Sequence, residues 1–122
     1  MWYNRVDISE MQGKTFTRVF EDRDVLVFEN DDERYTFYHS QDCCESVYIE
    51  SVVGDLNDLV GSPLLLAEEV SSDDAGPISK YEDSYTWTFY KFATIKGYVD
   101  VRWYGSSNGY YSESVDLRKE SV

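Results

Sequence analysis

The feature that most constrains the fold is a run of β-branched and aromatic residues followed at once by a turn signal. Residues 85–95 read YTWTFYKFATI, a composition that favours one long strand. Lys96-Gly97 is a two-residue hairpin signal, and residues 98–104 return as the partner strand. A five-residue loop then leads to a last strand at residues 110–117. The final third of the chain is therefore predicted to be an antiparallel meander, with the residues after 117 frayed.

The rest of the chain reads as shorter strands joined by polar turns. These strands are predicted at residues 15–21, 25–29, 34–38, 47–53 and 64–70. Two single helical turns, at 7–13 and 55–61, each begin with a capping Asp and end with Gly. We therefore expect one α+β domain over residues 1–122, mostly antiparallel β. Its expected core is a meander sheet of about six or seven strands with one or two short helical turns.

Charge limits the partners that this chain can have. It carries 24 acidic and 11 basic residues, a formal net charge of −13. A field of that sign repels nucleic acid and anionic membranes, so we predict no direct DNA or RNA binding and no membrane association. Met1 to Asp7 lack the basic leader and apolar stretch of a signal peptide, which predicts a cytoplasmic protein.

The register of the predicted hairpin sets up a candidate ligand site. If Lys96-Gly97 is the turn, Lys91 faces Arg102, and the following loop places Tyr104 against Tyr110. Like charges directly opposite on a sheet are unfavourable unless an anion lies between them. Aromatic rings beside a cationic pair suit a nucleotide, whose base stacks while the cations hold phosphate. The predicted ligand-binding residues are Trp87, Phe89, Lys91, Arg102, Tyr104, Ser106, Asn108 and Tyr110.

A second interpretation of this surface stays open. Asp100 lies on the same predicted face and could neutralise Arg102, with the aromatic residues buried against another element or another subunit. A register slip of one residue would dissolve the arrangement altogether.

Residues 38–50, YHSQDCCESVYIE, contain the single His and both Cys residues of the chain. His39 and Cys43 are four residues apart and could ligate zinc, or a cysteine thiolate could act as nucleophile with His39 as base. A structural turn is the favoured interpretation, with both thiols free and one cysteine packed inward. We therefore predict no metal, no cofactor, no catalytic residue and no enzyme activity.

This segment also resembles a known family. It is similar to a signature of small phage and prophage proteins that form a domain of unknown function. The similarity continues through Gly54-Asp55-Leu56, Ile95-Lys96-Gly97 and Arg102-Trp103-Tyr104-Gly105 and covers about residues 13–116. It implies phage origin and the cytoplasm of an infected cell, and it assigns no catalytic residue.

Two functions of different classes follow as hypotheses. The first is a phage anti-defence protein, a homo-oligomer that sequesters a host nucleotide immune signal, expected to be a cyclic oligonucleotide, without cleaving it. The alternative is an acidic decoy that blocks a basic nucleic-acid-binding surface of a host defence complex. Its expected interface comprises the acidic runs Asp31 to Glu33 and Glu68-Glu69.

Overall fold

The chain folds into two antiparallel sheets that pack against each other. The computed structural model describes residues 3–72 and 76–122. The elements in chain order are β1 (Tyr3–Arg5), a first 3-10 helix (Ile8–Met11), β2 (Arg18–Asp22), β3 (Val25–Glu29), β4 (Glu33–Tyr38), β5 (Ser46–Val53), a second 3-10 helix (Leu56–Leu59), β6 (Leu66–Ser72), β7 (Ser84–Thr94), β8 (Gly97–Ser107) and β9 (Asp116–Ser121). Neither helix in these two ranges has the length or the apolar content to cross a membrane.

Strand order corrects the predicted topology. The first sheet has five strands in the order β1-β9-β4-β3-β2, and the second has four in the order β5-β8-β7-β6. The mostly antiparallel β structure with two short helical turns is confirmed. The α+β class is wrong, because both helices of the described residues are single 3-10 turns, and the single meander of six or seven strands is also wrong. Local turns predict the hairpins within each sheet, but the division into two sheets depends on contacts far apart in sequence.

Aromatic side chains join the two sheets in one core. Phe28 and Phe37 on the first sheet meet Phe92 and Tyr90 on the second, with ring centroids 4.8 Å apart for Phe28–Phe92 and 4.6 Å apart for Phe37–Tyr90. All four rings are buried. Successive strand residues point to opposite faces, so the residues between them point outward. The outer face of the second sheet is thereby left as a surface.

The two helical turns form as the sequence predicts. The side chain of Asp7 accepts a hydrogen bond from the Ser9 amide, and Asp55 caps the second helix through the Asn57 amide. Gly61, which follows the second turn, has a φ of +82°, a left-handed conformation that Gly adopts without a steric penalty.

The last strand is the largest error of the sequence prediction. Residues 108–115 form a loop, and the strand after it is β9, which pairs with β4 and β1 in the first sheet. Residues 118–121, predicted to fray, lie in this strand. Strand propensity favoured the Tyr-rich stretch at 110–117. The strand forms at residues 116–121 instead, because there it has a hydrogen-bonded neighbour strand on each side and buries Leu117.

Candidate functional site

The predicted cationic pair lies in a different register from the one expected. Thr94 pairs with Gly97, so Ile95 and Lys96 form the turn between β7 and β8. Lys91 therefore lies opposite Asp100, not Arg102. The predicted pairing of two like charges is wrong.

A tertiary contact fixes this turn. The Thr94 hydroxyl donates a hydrogen bond to the carbonyl of Asp58 and accepts one from the Lys96 amide. A Cβ atom on Gly97 would lie 2.6 Å from Asp58 Oδ2, so the second helix packs directly on this position. Sequence alone contains no signal for this contact, because Asp58 belongs to a separate helical turn 36 residues before Thr94.

Lys91 and Arg102 nevertheless share the outer face of the second sheet. Phe89 lies directly opposite Arg102, whose guanidinium carbon is 5.9 Å from the centroid of the Phe89 ring. Within residues 3–72 and 76–122, neither cation has a carboxylate oxygen within 4.0 Å. We refer to Phe89, Lys91, Asp100 and Arg102 as the Arg102 face.

Two of the predicted stacking residues are covered. Trp87 and Tyr104 lie next to the Arg102 face but are buried. The indole Nε1–H of Trp87 donates to the carbonyl of Gly76 at 2.7 Å, and the hydroxyl of Tyr104 accepts from the Ile78 amide at 3.0 Å. We call residues 76–83 the covering segment. Because this segment lies over both side chains, their rings are not open to a ligand.

The hydroxyl of Tyr104 also binds an acidic partner within the covering segment. It donates a hydrogen bond to the carboxylate of Glu82. Burial and this hydrogen bond raise the pKa of Tyr104 to about 12. Tyr104 therefore fixes the covering segment to the sheet as a neutral phenol.

The remaining predicted ligand residues are dispersed. Tyr104 faces Trp87 and Tyr48, so its predicted pairing with Tyr110 is wrong. Tyr110 lies in the 108–115 loop with 87% of its surface exposed. The side chain of Asn108 accepts a hydrogen bond from the Tyr110 amide in the same loop.

Ser106 lies near the end of β8, between Tyr85 and Ser46. The structure therefore brings together Phe89, Lys91 and Arg102. Trp87 and Tyr104 adjoin them beneath the covering segment, and Ser106, Asn108 and Tyr110 lie beyond.

The His39 segment is a hydrogen-bonded junction between two loops. The Nδ1 atom of His39 lies 2.7 Å from the carbonyl oxygen of Ser114, and Nε2 lies 2.8 Å from Glu45 Oε2. The imidazole therefore joins the backbone of Ser114 to the carboxylate of Glu45 through its two ring nitrogens. The His39 side chain is 5% exposed. This position supports a structural role that ties the loop at 39–45 to the loop at 108–115.

Glu45 organises this loop through hydrogen bonds, a role that the sequence analysis did not assign to it. Its carboxylate accepts hydrogen bonds from the amides of Asp42 and Cys43, both at 2.9 Å, and from the Gln41 side chain at 3.3 Å. Burial acts to raise the pKa of Glu45, but the amides of Cys43 and Asp42 and the His39 ring outweigh it and lower that pKa to about 2. A side-chain carboxylate that accepts hydrogen bonds from backbone amides two or three residues earlier stabilises a turn. The position of Glu45 after Asp42 and Cys43 is therefore the sequence signal that could have indicated this role.

The cysteines differ from the prediction. Cys43 and Cys44 are joined in a disulfide, and both are exposed. Glu45, not a cysteine, takes the buried position of the loop, so the prediction of free thiols with one packed inward is wrong. The described parts of the chain contain no group of three or more His, Cys, Asp or Glu residues placed to hold a metal ion.

Ion pairs concentrate on the first sheet. Glu29 bridges Arg18 and Arg34 at 2.8 Å each, and Glu33 contacts Lys14 and Lys119. These contacts lower the pKa of Glu29, chiefly through the Arg34 hydrogen bond. Other acidic residues are exposed and, in the two described ranges, have no basic nitrogen within 4.0 Å. They include Glu21, Asp22, Asp31, Asp32, Glu68 and Glu69.

Comparison with known proteins identifies a family but no activity. A family model described as Domain of unknown function (DUF7448) matches residues 9–117. No curated protein and no solved structure matches the chain. Because the match covers most of the sequence, from the first 3-10 helix into β9, the chain belongs to this family of unknown function.

Proposed function

We propose that this chain is a binding protein that docks through its exposed carboxylates on a basic, nucleic-acid-binding surface of a host defence complex. The observation that carries the proposal is the division of charge described above. Lys and Arg side chains on the first sheet are already occupied by Glu29 and Glu33, whereas acidic turns and one strand present carboxylates without a basic partner within the described ranges. Such a surface competes with phosphate groups for Lys and Arg side chains.

The geometry refines which acidic residues take part. Asp31 and Asp32 are exposed in the turn before β4, and Glu68 and Glu69 are exposed on β6. Glu33, which was grouped with the first pair from sequence, is held by Lys14 and Lys119. We therefore assign the docking role to Asp31, Asp32, Glu68 and Glu69 and exclude Glu33 from it.

The test is displacement of a fluorescent DNA duplex from a lysine- and arginine-rich DNA-binding domain. The test variant carries Asp31→Asn, Asp32→Asn, Glu68→Gln and Glu69→Gln, and we expect it to displace the duplex at least about tenfold more weakly. The matched control carries Asp7→Asn, Glu21→Gln, Asp22→Asn and Asp55→Asn, which remove the same number of negative charges at exposed carboxylates outside the proposed interface. Full displacement by the test variant, or no displacement by the natural chain, would reject the proposal.

Nucleotide sequestration is the second candidate function, and one observation favours it. Lys91 and Arg102 lie on one outer face beside Phe89, and no carboxylate oxygen in the described ranges lies within 4.0 Å of the charged nitrogens of either cation. A phosphate held by both cations would place a base near the Phe89 ring. Calorimetric titration with a panel of cyclic di- and trinucleotides tests this candidate. Binding that Arg102→Ala abolishes would support it, and an absence of binding to the panel would remove it.

A further inference from the structure

We propose that the Arg102 face is a self-association surface that binds a second copy of this chain. The proposal does not depend on the acidic docking function, although Glu68, which lies opposite Lys91, belongs to both surfaces. The first observation is that this face has balanced charges, although the whole chain is strongly acidic. Lys91 and Arg102 are balanced there by Asp100 and by Glu68, the β6 residue opposite Lys91, in a chain of net charge −13.

Charge balance matters because two copies of an acidic chain repel each other over most of their surface. A neutral patch that contains both signs is a place where two copies can approach without that penalty. A two-fold interface also requires a patch that is complementary to itself, so that each cation meets an anion or an aromatic ring of the other copy. The Arg102 face meets this requirement.

The strand register identifies a two-fold arrangement that satisfies these contacts. An axis lying in the plane of the face can cross the strands between the Lys91–Asp100 row and the Phe89–Arg102 row. The Lys91–Asp100 row of each copy then lies over the Phe89–Arg102 row of the other copy. Arg102 meets Asp100 of the second copy, and Lys91 meets the Phe89 ring of the second copy, both favourable pairs.

The covering segment restricts the choice of axis. It lies over Trp87 and Tyr104, so an axis parallel to the strands would place the two covering segments against each other. The proposed axis instead places each segment over the row of Tyr98 and Ala93 in the other copy. Tyr98 is 49% exposed, and Ile78 of the covering segment is 54% exposed. These side chains supply the apolar contact that flanks the charged pairs.

The patch also includes exposed aliphatic residues at its margins. Val53, which pairs with Asp100, and Val70, which pairs with Phe89, are both exposed strand residues. Single exposed apolar residues are ordinary, but several on one sheet face around balanced charges are typical of an interaction surface. The face is small, so we expect a dimer with a Kd of about 1 to 100 µM.

The experiment measures self-association of the full chain by sedimentation equilibrium near physiological salt. Two charge-reversal variants are compared, Lys91→Glu with Arg102→Glu and Glu68→Lys with Asp100→Lys. Each alone should associate at least about tenfold more weakly, because its face then carries one sign of charge. Mixed in equal amounts, the two variants should form a heterodimer, because their faces are then complementary.

The matched control carries Arg5→Glu and Arg23→Glu, two exposed cations outside the Arg102 face. It has the same net charge as the first reversal variant and should dimerise like the natural chain. Circular dichroism establishes that each variant is folded. A natural chain that stays monomeric at about 1 mM would overturn the proposal without reference to any variant. Folded reversal variants that dimerise fully, or that fail to associate when mixed, would also overturn it.

A nucleotide at the Arg102 face would compete with the second copy, because both use Lys91 and Arg102. Dissociation of the dimer by a cyclic nucleotide would therefore support both this proposal and nucleotide sequestration. The Lys91→Glu with Arg102→Glu variant keeps the carboxylates of Asp31, Asp32, Glu68 and Glu69. It should lose the dimer and still displace DNA, so failure of the docking function and failure of this proposal are distinguishable.

Discussion

Substituting Phe92 by Ala should remove a large part of the stability of this fold. Phe92 on β7 is fully buried and contacts Phe28 and Phe37 across the junction of the two sheets, with ring centroids 4.8 and 5.7 Å apart. Truncating a buried Phe leaves a cavity and costs about 3 to 5 kcal/mol. Domains of this size are stable by about 5 to 15 kcal/mol, so about a fifth or more of the free energy of unfolding should disappear.

Urea denaturation followed by tryptophan fluorescence measures this loss. The midpoint should fall while the slope with denaturant stays unchanged, because the surface exposed on unfolding is similar. Ile95→Ala is the matched control, since Ile95 is 84% exposed in the β7–β8 turn and should change stability by less than about 0.5 kcal/mol. A loss below about 1 kcal/mol for Phe92→Ala would refute the two-sheet core.

A double-mutant cycle tests the same contact more specifically. Phe28→Leu and Phe92→Leu each shorten one partner of a pair that joins the two sheets. Aromatic pairs of this kind couple by about 0.5 to 1.5 kcal/mol. Strictly additive effects would mean that the two rings do not touch in solution.

Three further predictions concern the loops and β8. Stability should fall as the pH drops from about 4.5 towards about 2, because the pKa of Glu45 is lowered to about 2 from an ordinary 4.5. The melting temperature of Glu45→Gln should lack the pH dependence that Glu45 contributes in this range. Gly105→Ala should lower the free energy of unfolding by about 1 to 3 kcal/mol, because the added Cβ would lie 2.8 Å from the Glu113 carbonyl oxygen; an unchanged urea midpoint would contradict this packing. Trp87→Phe removes the hydrogen bond to the Gly76 carbonyl and should speed amide hydrogen exchange in the covering segment at least severalfold, whereas exchange in β9 stays constant.

Local sequence signals predict most strands and both helical turns. β3 spans residues 25–29 as expected, and the Asp caps at residues 7 and 55 form as the sequence indicates. These features depend on neighbours within a few residues. Period-two patterns also place Phe89, Lys91 and Arg102 on one face, because a shift by a whole residue pair keeps each side chain on its side of the sheet.

Features that depend on distant contacts could not be predicted. The hairpin register follows from the hydrogen bond between Thr94 and Asp58. Whether residues 110–121 form a loop or a strand depends on pairing with β4 and β1. The covering segment likewise binds Trp87 and Tyr104 from outside their own strands. No local pattern distinguishes an aromatic residue open to a ligand from one covered by a later loop.

The exposed loop around His39 shows the same limit on a smaller scale. Its residues suggested a metal ligand or a nucleophile, because His and Cys occur close together in sequence. The structure instead turns the two nitrogens of His39 towards Ser114 and Glu45 and joins Cys43 to Cys44. Residue types alone do not specify which atoms face each other.

The most direct test of the central claim is the salt dependence of binding between this chain and an immobilised lysine- and arginine-rich DNA-binding domain. The proposal that exposed carboxylates dock on a basic surface predicts that affinity falls at least about tenfold between about 0.05 and 0.5 M salt. It also predicts that the variant neutralised at residues 31, 32, 68 and 69 loses most of this dependence. Affinity that is independent of salt, or the same for the natural chain and this variant, would contradict it.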